Sequence, residues 1–245
     1  MSSLQKLSTI LYEVQQACVQ LSSVTPPQGV YDSQDETAQL MGSVANLAGI
    51  MINDARDWQQ MRLPYSITGD GLRTGWDLPA NFSRFIDGTG WSLGMRRPVA
   101  ILNAQQWYSV TAWVSQTFYA QPGCRIYQDK LQFITAPASG EQIIFEYVDA
   151  NWVIDADDNT VLKQKADKNA DTPRFDWLLM VLAIKTKWLE AKGMNSLAVQ
   201  SDFNDRILQL TQHEVTAPTL TLSGPVVGGF RYLDYYNMPN TNFGR

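Results

Sequence analysis

Hydrophobic side chains recur at steps of three and four in the first sixty residues, which predicts two amphipathic helices. The first spans 4–22, and the second runs from Asp32 or Ser33 to about Met61. Ser33 and Glu36 match a capping box for the second helix. Two glycines inside that helix are expected to let a neighbouring helix approach closely: Gly42 and Gly49.

After residue 61 the pattern changes to short strands broken by Gly, Pro and Asn. The segment 126–134 predicts a hairpin with its turn at 128–130, and 141–147 predicts the next strand. Residues 105–109 fit either a strand or a short helix. Several strand signals in one block predict a small β-sandwich or barrel.

Helical signals return after the polar, charged segment 156–171, which is expected to be an exposed linker. Thr172 is the predicted cap, with Pro173 at the first helical position. This helix is apolar on nearly all sides, so we expect it to be buried, and Gly193 is expected to end it. A last helix starts near Ser196.

These elements together predict an α+β fold in which a β domain is inserted into an antiparallel helix bundle. The bundle comprises 1–61 and 172–213, the inserted domain comprises 62–155, and 156–171 links the two. An extended C-terminal arm follows at 214–245. Because the β block lies between two helix pairs, both ends of the insertion should lie close together.

The arm is rich in Gly, Pro, Asn and Tyr and has no helical period. Its aromatic content favours a segment that becomes ordered on another subunit or protein. The alternative is an edge strand and a free terminus on the same monomer. The aromatic candidates for partner binding are Phe230, Tyr232, Tyr235, Tyr236 and Phe243.

Composition and charge limit the classes of function that this chain can have. The chain has 245 residues, 44% of them hydrophobic and 18% charged, with 19 basic against 24 acidic side chains and a net charge of -5. Sequence-specific nucleic-acid binding is not indicated, because clustered Lys and Arg are absent. DNA could still slide along such a mildly acidic wall. The longest basic run, Arg96 and Arg97, could meet an acidic partner or be a plain surface pair.

Catalytic signals are also scarce. With one histidine, His213, and two cysteines, Cys18 and Cys124, the chain predicts no metal site, cofactor or catalytic triad, and it fits a reducing compartment. The acidic run that begins at Asp155 resembles a calcium loop, but Thr160 and Ala166 break the pattern. A hydrolase that uses a distant pair of carboxylates stays open.

Five tryptophans of the β block could instead form a sugar-stacking platform, although core packing is favoured. They are Trp76, Trp91, Trp107, Trp113 and Trp152. A carbohydrate- or receptor-binding tail module is therefore the alternative function. Glu13 interrupts the N-terminal apolar stretch, and the longest apolar run, 177–184, is too short to cross a membrane. A soluble protein made inside a cell is expected.

Three stretches resemble the head-to-tail adaptors of short-tailed bacteriophages, also called neck or tail tubular protein A-like proteins. They are INDARDWQQM at 52–61, WDLPANFSRFID at 76–87, and IFEYV with NWV between 144 and 153. Asn81 stands where that family's turn has an acidic residue. The resemblance covers most of the chain and is weakest in the C-terminal arm.

The resemblance implies a structural virion protein with no enzymatic activity and no cofactor. It implies a dodecameric ring below the portal that joins the portal protein to the tail nozzle protein. DNA would pass through the lumen without sequence-specific binding, and no membrane is involved. The protein would assemble in the host cytoplasm and reside in the virion.

Overall fold

The computed structural model describes residues 8–21, 24–113 and 123–214, and these form a mixed α+β fold. Five α-helices occur in this part of the chain: α1 Ile10–Leu21, α2 Glu36–Ala55, α3 Ala104–Trp113, α4 Trp177–Ala191 and α5 Leu197–Glu214. The chain divides into two compact units, Met1–Ile207 and Leu208–Arg245. The described part of the second unit is the last turns of α5.

Helix α4 is the apolar centre of the helical region. Both α1 and α2 pack against it, and Val181, Ala183 and Ile184 are fully buried. A helix that is apolar on nearly all sides gains free energy only when neighbours cover it on more than one face. The predicted burial of this helix is confirmed.

The predicted start and end of α2 need correction. Asp35 caps the helix, because its carboxylate accepts the backbone N–H of Ala38 at 3.3 Å. Ser33 forms no capping box and instead accepts the backbone N–H of Asp35. The helix ends at Ala55, and a separate short 3-10 helix, Gln59–Met61, leads into the first strand.

The predicted start of α4 is likewise wrong. Thr172–Pro173 forms a strand, and the cap is Asp176, whose carboxylate accepts the backbone N–H of Leu179 at 3.0 Å. The Asp176 carboxylate thus satisfies one of the backbone N–H groups that have no partner within the first turn of a helix. Gly193, with a φ of +68°, follows the last turn as predicted.

The first sheet is built around the longest strand. It contains β1 Arg62–Thr68, β3 Phe82–Phe85, β4 Trp91–Ser92, β5 Arg97–Pro98 and β9 Gln142–Asp149. Strand β9 pairs antiparallel with β1, and also with β3 and β4, which pair with different ends of β9. The strand predicted at 141–147 is confirmed.

The second sheet contains four strands: β2 Gly75–Asp77, β6 Ala100–Ile101, β7 Gly123–Tyr127 and β8 Lys130–Phe133. The hairpin predicted at 126–134 is confirmed, since β7 and β8 pair antiparallel. Gln128 and Asp129 have φ values of 49° and 57°. Two left-handed residues match the right-handed twist of the strands that they join.

Residues from both sheets share one hydrophobic core. Phe145 and Ile143 of β9 pack with Leu131 and Phe133 of β8, and Phe85 of β3 completes an aromatic cluster. Within the described ranges the strands of 62–155 are antiparallel except for the pair β6–β7, and they close no barrel.

The helix at 105–109 is confirmed, and its strand alternative is wrong. Asn103 and Gln106 cap α3 reciprocally: Gln106 N–H donates to Asn103 Oδ1 at 2.8 Å, and Asn103 N–H donates to Gln106 Oε1 at 3.0 Å. This arrangement satisfies two helix-end donors with side chains that are close in sequence.

The segment 156–171 is more ordered than the predicted exposed linker. It carries β11 Leu162–Lys163, which pairs with β10 Val153–Ile154, and β10 also pairs with β12 Thr172–Pro173. Asp171 is fully buried. This small sheet therefore crosses the boundary that the sequence predicted at residue 155.

Candidate functional site

The three stretches that carry the resemblance meet at one junction, where the end of α2, strand β3 and the end of β9 contact one another. Arg84 of β3 donates from Nε to Asp57 Oδ1 at 2.9 Å. Its Nη2 donates to the carbonyl oxygens of Asn53 and Arg56 at 3.0 and 2.9 Å. A guanidinium here satisfies carbonyls at the end of α2, where the helix dipole favours positive charge.

A buried carboxylate stabilises the same junction. Asp149 is fully buried at the end of β9, and Arg174 Nη1 donates to its Oδ2 at 3.0 Å. Asn81 Nδ2 and the backbone N–H of Asn151 donate to Oδ1 at 3.0 and 2.8 Å. Asn53 Nδ2 also donates to the carbonyl of Asp149 at 3.2 Å. A buried charge is tolerated only with such complete pairing.

Asn81 has a specific role in this arrangement. It donates to Asp149 and accepts the hydroxyl of Tyr147 at 3.1 Å. An acidic side chain at residue 81 would place a second negative charge against the buried Asp149 carboxylate. An amide is therefore the compatible residue at the position where this chain departs from the pattern that it resembles.

Aromatic side chains fill the space between α2 and the start of α4. Trp152 stacks on Phe175 with ring centroids 6.0 Å apart, and Trp58 tilts against Phe175 at 6.4 Å. A Cβ atom at Gly49 would lie 2.3 Å from the Trp152 ring. Gly49 therefore permits close approach, as expected, but of an indole ring and not of a neighbouring helix.

Lysine side chains pair with the carboxylates of the acidic run that resembles a calcium loop. Lys163 Nζ lies 3.1 Å from Asp155 Oδ1 and 2.8 Å from Asp171 Oδ2, and it also pairs with Asp167. Lys168 pairs with Asp155 at 3.0 Å. Hydrogen bonds from Lys168 and then Lys163 hold the pKa of Asp155 at about 2. The carboxylates are thus neutralised by the chain itself.

No cluster of three or more His, Cys, Asp or Glu side chains suited to a metal occurs in the described residues. Cys18 and Cys124 are both buried and unpaired, and burial raises the pKa of the Cys124 thiol to about 12. That environment disfavours a reactive thiolate. The side chain of His213 lies outside the described residues.

An exposed patch that the sequence did not suggest lies on α3 and β7. Arg125 places its guanidinium 4.3 Å from the ring centroid of Trp107, 4.5 Å from Tyr127 and 5.8 Å from Tyr108. Tyr108 is 66% exposed and Tyr127 is 45% exposed. We call these four residues the aromatic–arginine patch. Only the tertiary structure reveals it, because α3 and β7 are separate in sequence.

Arg96 lies on the exposed connection between β4 and β5, and Arg97 is the exposed first residue of β5. Arg96 adopts a left-handed φ of 54°, which turns the chain between the two strands. They are not part of the aromatic–arginine patch. The candidate arm residues fall outside the described residues: Phe230, Tyr232, Tyr235, Tyr236 and Phe243.

The tryptophans proposed for sugar stacking are dispersed. Trp107 and Trp152 are buried, and Arg125 lies over the ring of Trp107. Trp76 and Trp91 are half-buried on different sheets, and Trp76 packs edge-on against Phe133. The side chain of Trp113 lies outside the described residues.

A cavity of about 550 Å³ lies beside the end of α4. Its lining includes Trp188, Asp35 and Lys192, and the Lys192 ammonium lies 4.8 Å from the Trp188 ring centroid. One acid and one base give this cavity no concentrated charge with which to select an ionic ligand.

No protein-family model matches this chain, and no curated protein matches it at a significant level. Within the described ranges, no helix combines the length and the apolar character that crossing a bilayer requires.

Proposed function

We propose that this protein is a structural virion protein, a head-to-tail adaptor of a short-tailed bacteriophage. One observation carries the proposal. The three stretches that resemble such adaptors, 52–61, 76–87 and 144–153, are far apart in sequence but meet at a single buried junction. Arg84, Asp149 and Arg174 tie that junction together. A shared packing unit supports the resemblance more than three unrelated short motifs would.

In this proposal the helices of 1–61 and 172–213 form a bundle that packs beside neighbouring subunits and binds the portal protein. The β-sandwich of 62–155 faces outward or toward the tail nozzle protein. The arm at 214–245 reaches onto the portal or an adjacent subunit. The junction fixes the helices and the sheet relative to each other, as a protein that joins two large assemblies requires.

A ring of twelve such subunits would leave a lumen for DNA. Each subunit carries a net charge of -5, so mildly negative walls would repel the phosphate backbone and keep passage free of binding. The protein would act by shape alone, without a cofactor. It would be made in the host cytoplasm and incorporated into the virion.

The test is to mix the purified full-length protein with the portal protein of the same virus and to measure particle mass and negative-stain images. We expect a ring attached to one end of the portal. A variant with all five candidate arm aromatics changed to serine serves as the negative control, and we expect it not to attach to the portal. Absence of any co-assembly by the intact chain would contradict the proposal.

A further inference from the structure

We infer that the aromatic–arginine patch of one subunit docks on an acidic face of α5 in a second copy of this chain. The acidic α5 face consists of Asp202 and Asp205. This inference rests on the proposed ring, because a ring needs two different faces of each subunit that fit one another. It assigns those two faces.

The first face has the properties of a binding hot spot. Helix α3 contains no charged residue, and within 104–112 only Trp107 is buried. Trp, Tyr and Arg are the residue types that dominate interface energies. Here they form one contiguous group, because Arg125 and Tyr127 lie on the same face of β7 and the Arg125 guanidinium contacts the rings of both Trp107 and Tyr127.

Arg125 is the charged centre of this face. Its Nε and Nη2 donate to Gln132 Oε1 at 3.3 and 3.1 Å, and it has no carboxylate partner among the described residues. The flanking rings of Trp107 and Tyr127 hold the guanidinium in place. A guanidinium that is already positioned loses less conformational entropy when it binds a carboxylate.

The second face offers the matching chemistry. Asp202 and Asp205 are exposed on α5, three residues apart and therefore on one side of the helix. Neither forms an ion pair with any residue of the described ranges, and the neighbouring Arg206 pairs with Asp176 at 2.9 Å.

The two faces are therefore complementary in charge. Within the part of the chain that the structure describes, one face has an arginine without a carboxylate partner, and the other has two carboxylates without a basic partner. They belong to different elements, as a heterologous contact requires. Opposite charges across such an interface also fix its register and disfavour other pairings.

The experiment is charge reversal followed by rescue in the full-length chain. Sedimentation velocity over a concentration series, with and without portal protein, would compare the wild type, Arg125→Glu, the pair Asp202→Arg with Asp205→Arg, and all three changes together. Each reversal should weaken self-association by at least about tenfold, and the triple variant should regain most of that loss. Arg73→Glu, at an exposed arginine that belongs to neither face, is the control and should associate like the wild type.

The rescue separates lost contact from lost folding, because a misfolded Arg125→Glu chain would not be restored by changes on α5. The inference is overturned if the single reversals assemble like the wild type or if the triple variant is not restored. It is also overturned if the wild type binds a short duplex DNA through Arg125 while its self-association does not depend on that residue.

The two proposals fail in distinguishable ways. If the wild type attaches to the portal and both reversal variants form the same ring there, the proposed function stands and these faces are wrong. If the wild type self-associates through these faces but never attaches to the portal, the faces stand and the adaptor function is wrong. A wild type that stays monomeric at every concentration and on the portal overturns both.

Discussion

Arg174 donates to the fully buried carboxylate of Asp149 at 3.0 Å. This contact joins the segment that precedes α4 to the end of β9. Arg174 also donates to the carbonyl of Gln60, so one guanidinium holds the short 3-10 helix as well. The junction between helices and sheet thus depends on a buried ion pair and not on apolar packing alone.

Arg174→Ala should lower the free energy of unfolding by about 3–5 kcal/mol, because it leaves the Asp149 charge buried without its partner. Urea unfolding monitored by tryptophan fluorescence would measure the loss. Arg73→Ala is the matched control, since Arg73 is exposed and its one ion pair among the described residues is with Asp70 at 3.4 Å. Equal effects of the two changes would contradict the structural role of Arg174.

Gly49→Ala should destabilise the protein by up to about 2 kcal/mol, which is the cost of overpacking less the helix gain of alanine. Overpacking typically costs about 1–3 kcal/mol, which exceeds the intrinsic helix gain of alanine. The added methyl would lie 2.3 Å from the buried Trp152 ring, which is itself held against Phe175. Ser43→Ala at an exposed position of α2 is the control. A stabilised Gly49→Ala variant would show that the Trp152 ring can move away.

Trp188→Ala should cost roughly 3–5 kcal/mol, the usual loss when a buried aromatic is truncated. Trp188 is 3% exposed on α4, whereas Trp177 of the same helix is 37% exposed. Trp177→Ala should therefore cost clearly less. Thermal or chemical unfolding of both variants would decide, and a loss below about 1 kcal/mol for Trp188→Ala would contradict its burial in the core.

Glu13→Gln should reduce the pH dependence of stability. Burial, opposed by the hydrogen bond from Ser8 and reinforced by the charge of Asp176, raises the pKa of Glu13 well above 4.5. The unfolded chain releases this proton at a lower pH than the native state does, so the wild type loses stability as pH rises above 4.5. Glutamine keeps the Ser8 contact without the ionisation.

Unfolding free energies at pH 5 and pH 8 would test this prediction about Glu13. We expect the advantage of Glu13→Gln over the wild type to increase with pH. Glu36→Gln, at an exposed position in the first turn of α2, is the control and should leave the pH dependence in place. An identical pH dependence of the wild type and Glu13→Gln would contradict the prediction.

Deletion of residues 219–245 should leave a folded chain and abolish partner attachment. Among the described residues, the buried core of the helices and the three sheets lies between Ile10 and Phe203, and the deletion removes none of these residues. Thermal unfolding and a portal pull-down would be measured side by side. Loss of the cooperative transition would show that the arm belongs to the core.

Local sequence patterns predicted elements whose causes are local. The apolar run of α4, the Gly193 terminus and the turn at 128–130 depend on neighbouring residues, and all three were confirmed. The capping residues were predicted less well. Ser33 and Thr172 were plausible caps by residue type, but Asp35 and Asp176 take that role. The Asn103–Gln106 capping box was a readable signal that would have identified α3 as a helix.

The tertiary structure alone decided which distant residues meet. Arg174 and Asp149 are 25 residues apart, and Arg84 and Asp57 are 27 apart. Periodicity carries no information about such pairs, because their geometry depends on how whole elements pack. Arg125 likewise became a candidate only when β7 placed it beside the rings of α3.

The sequence determined which segments are helix, strand or turn, since short-range sterics and hydrogen bonds act within a few residues. Packing of those segments decided where the charges, the rings and the candidate surfaces lie.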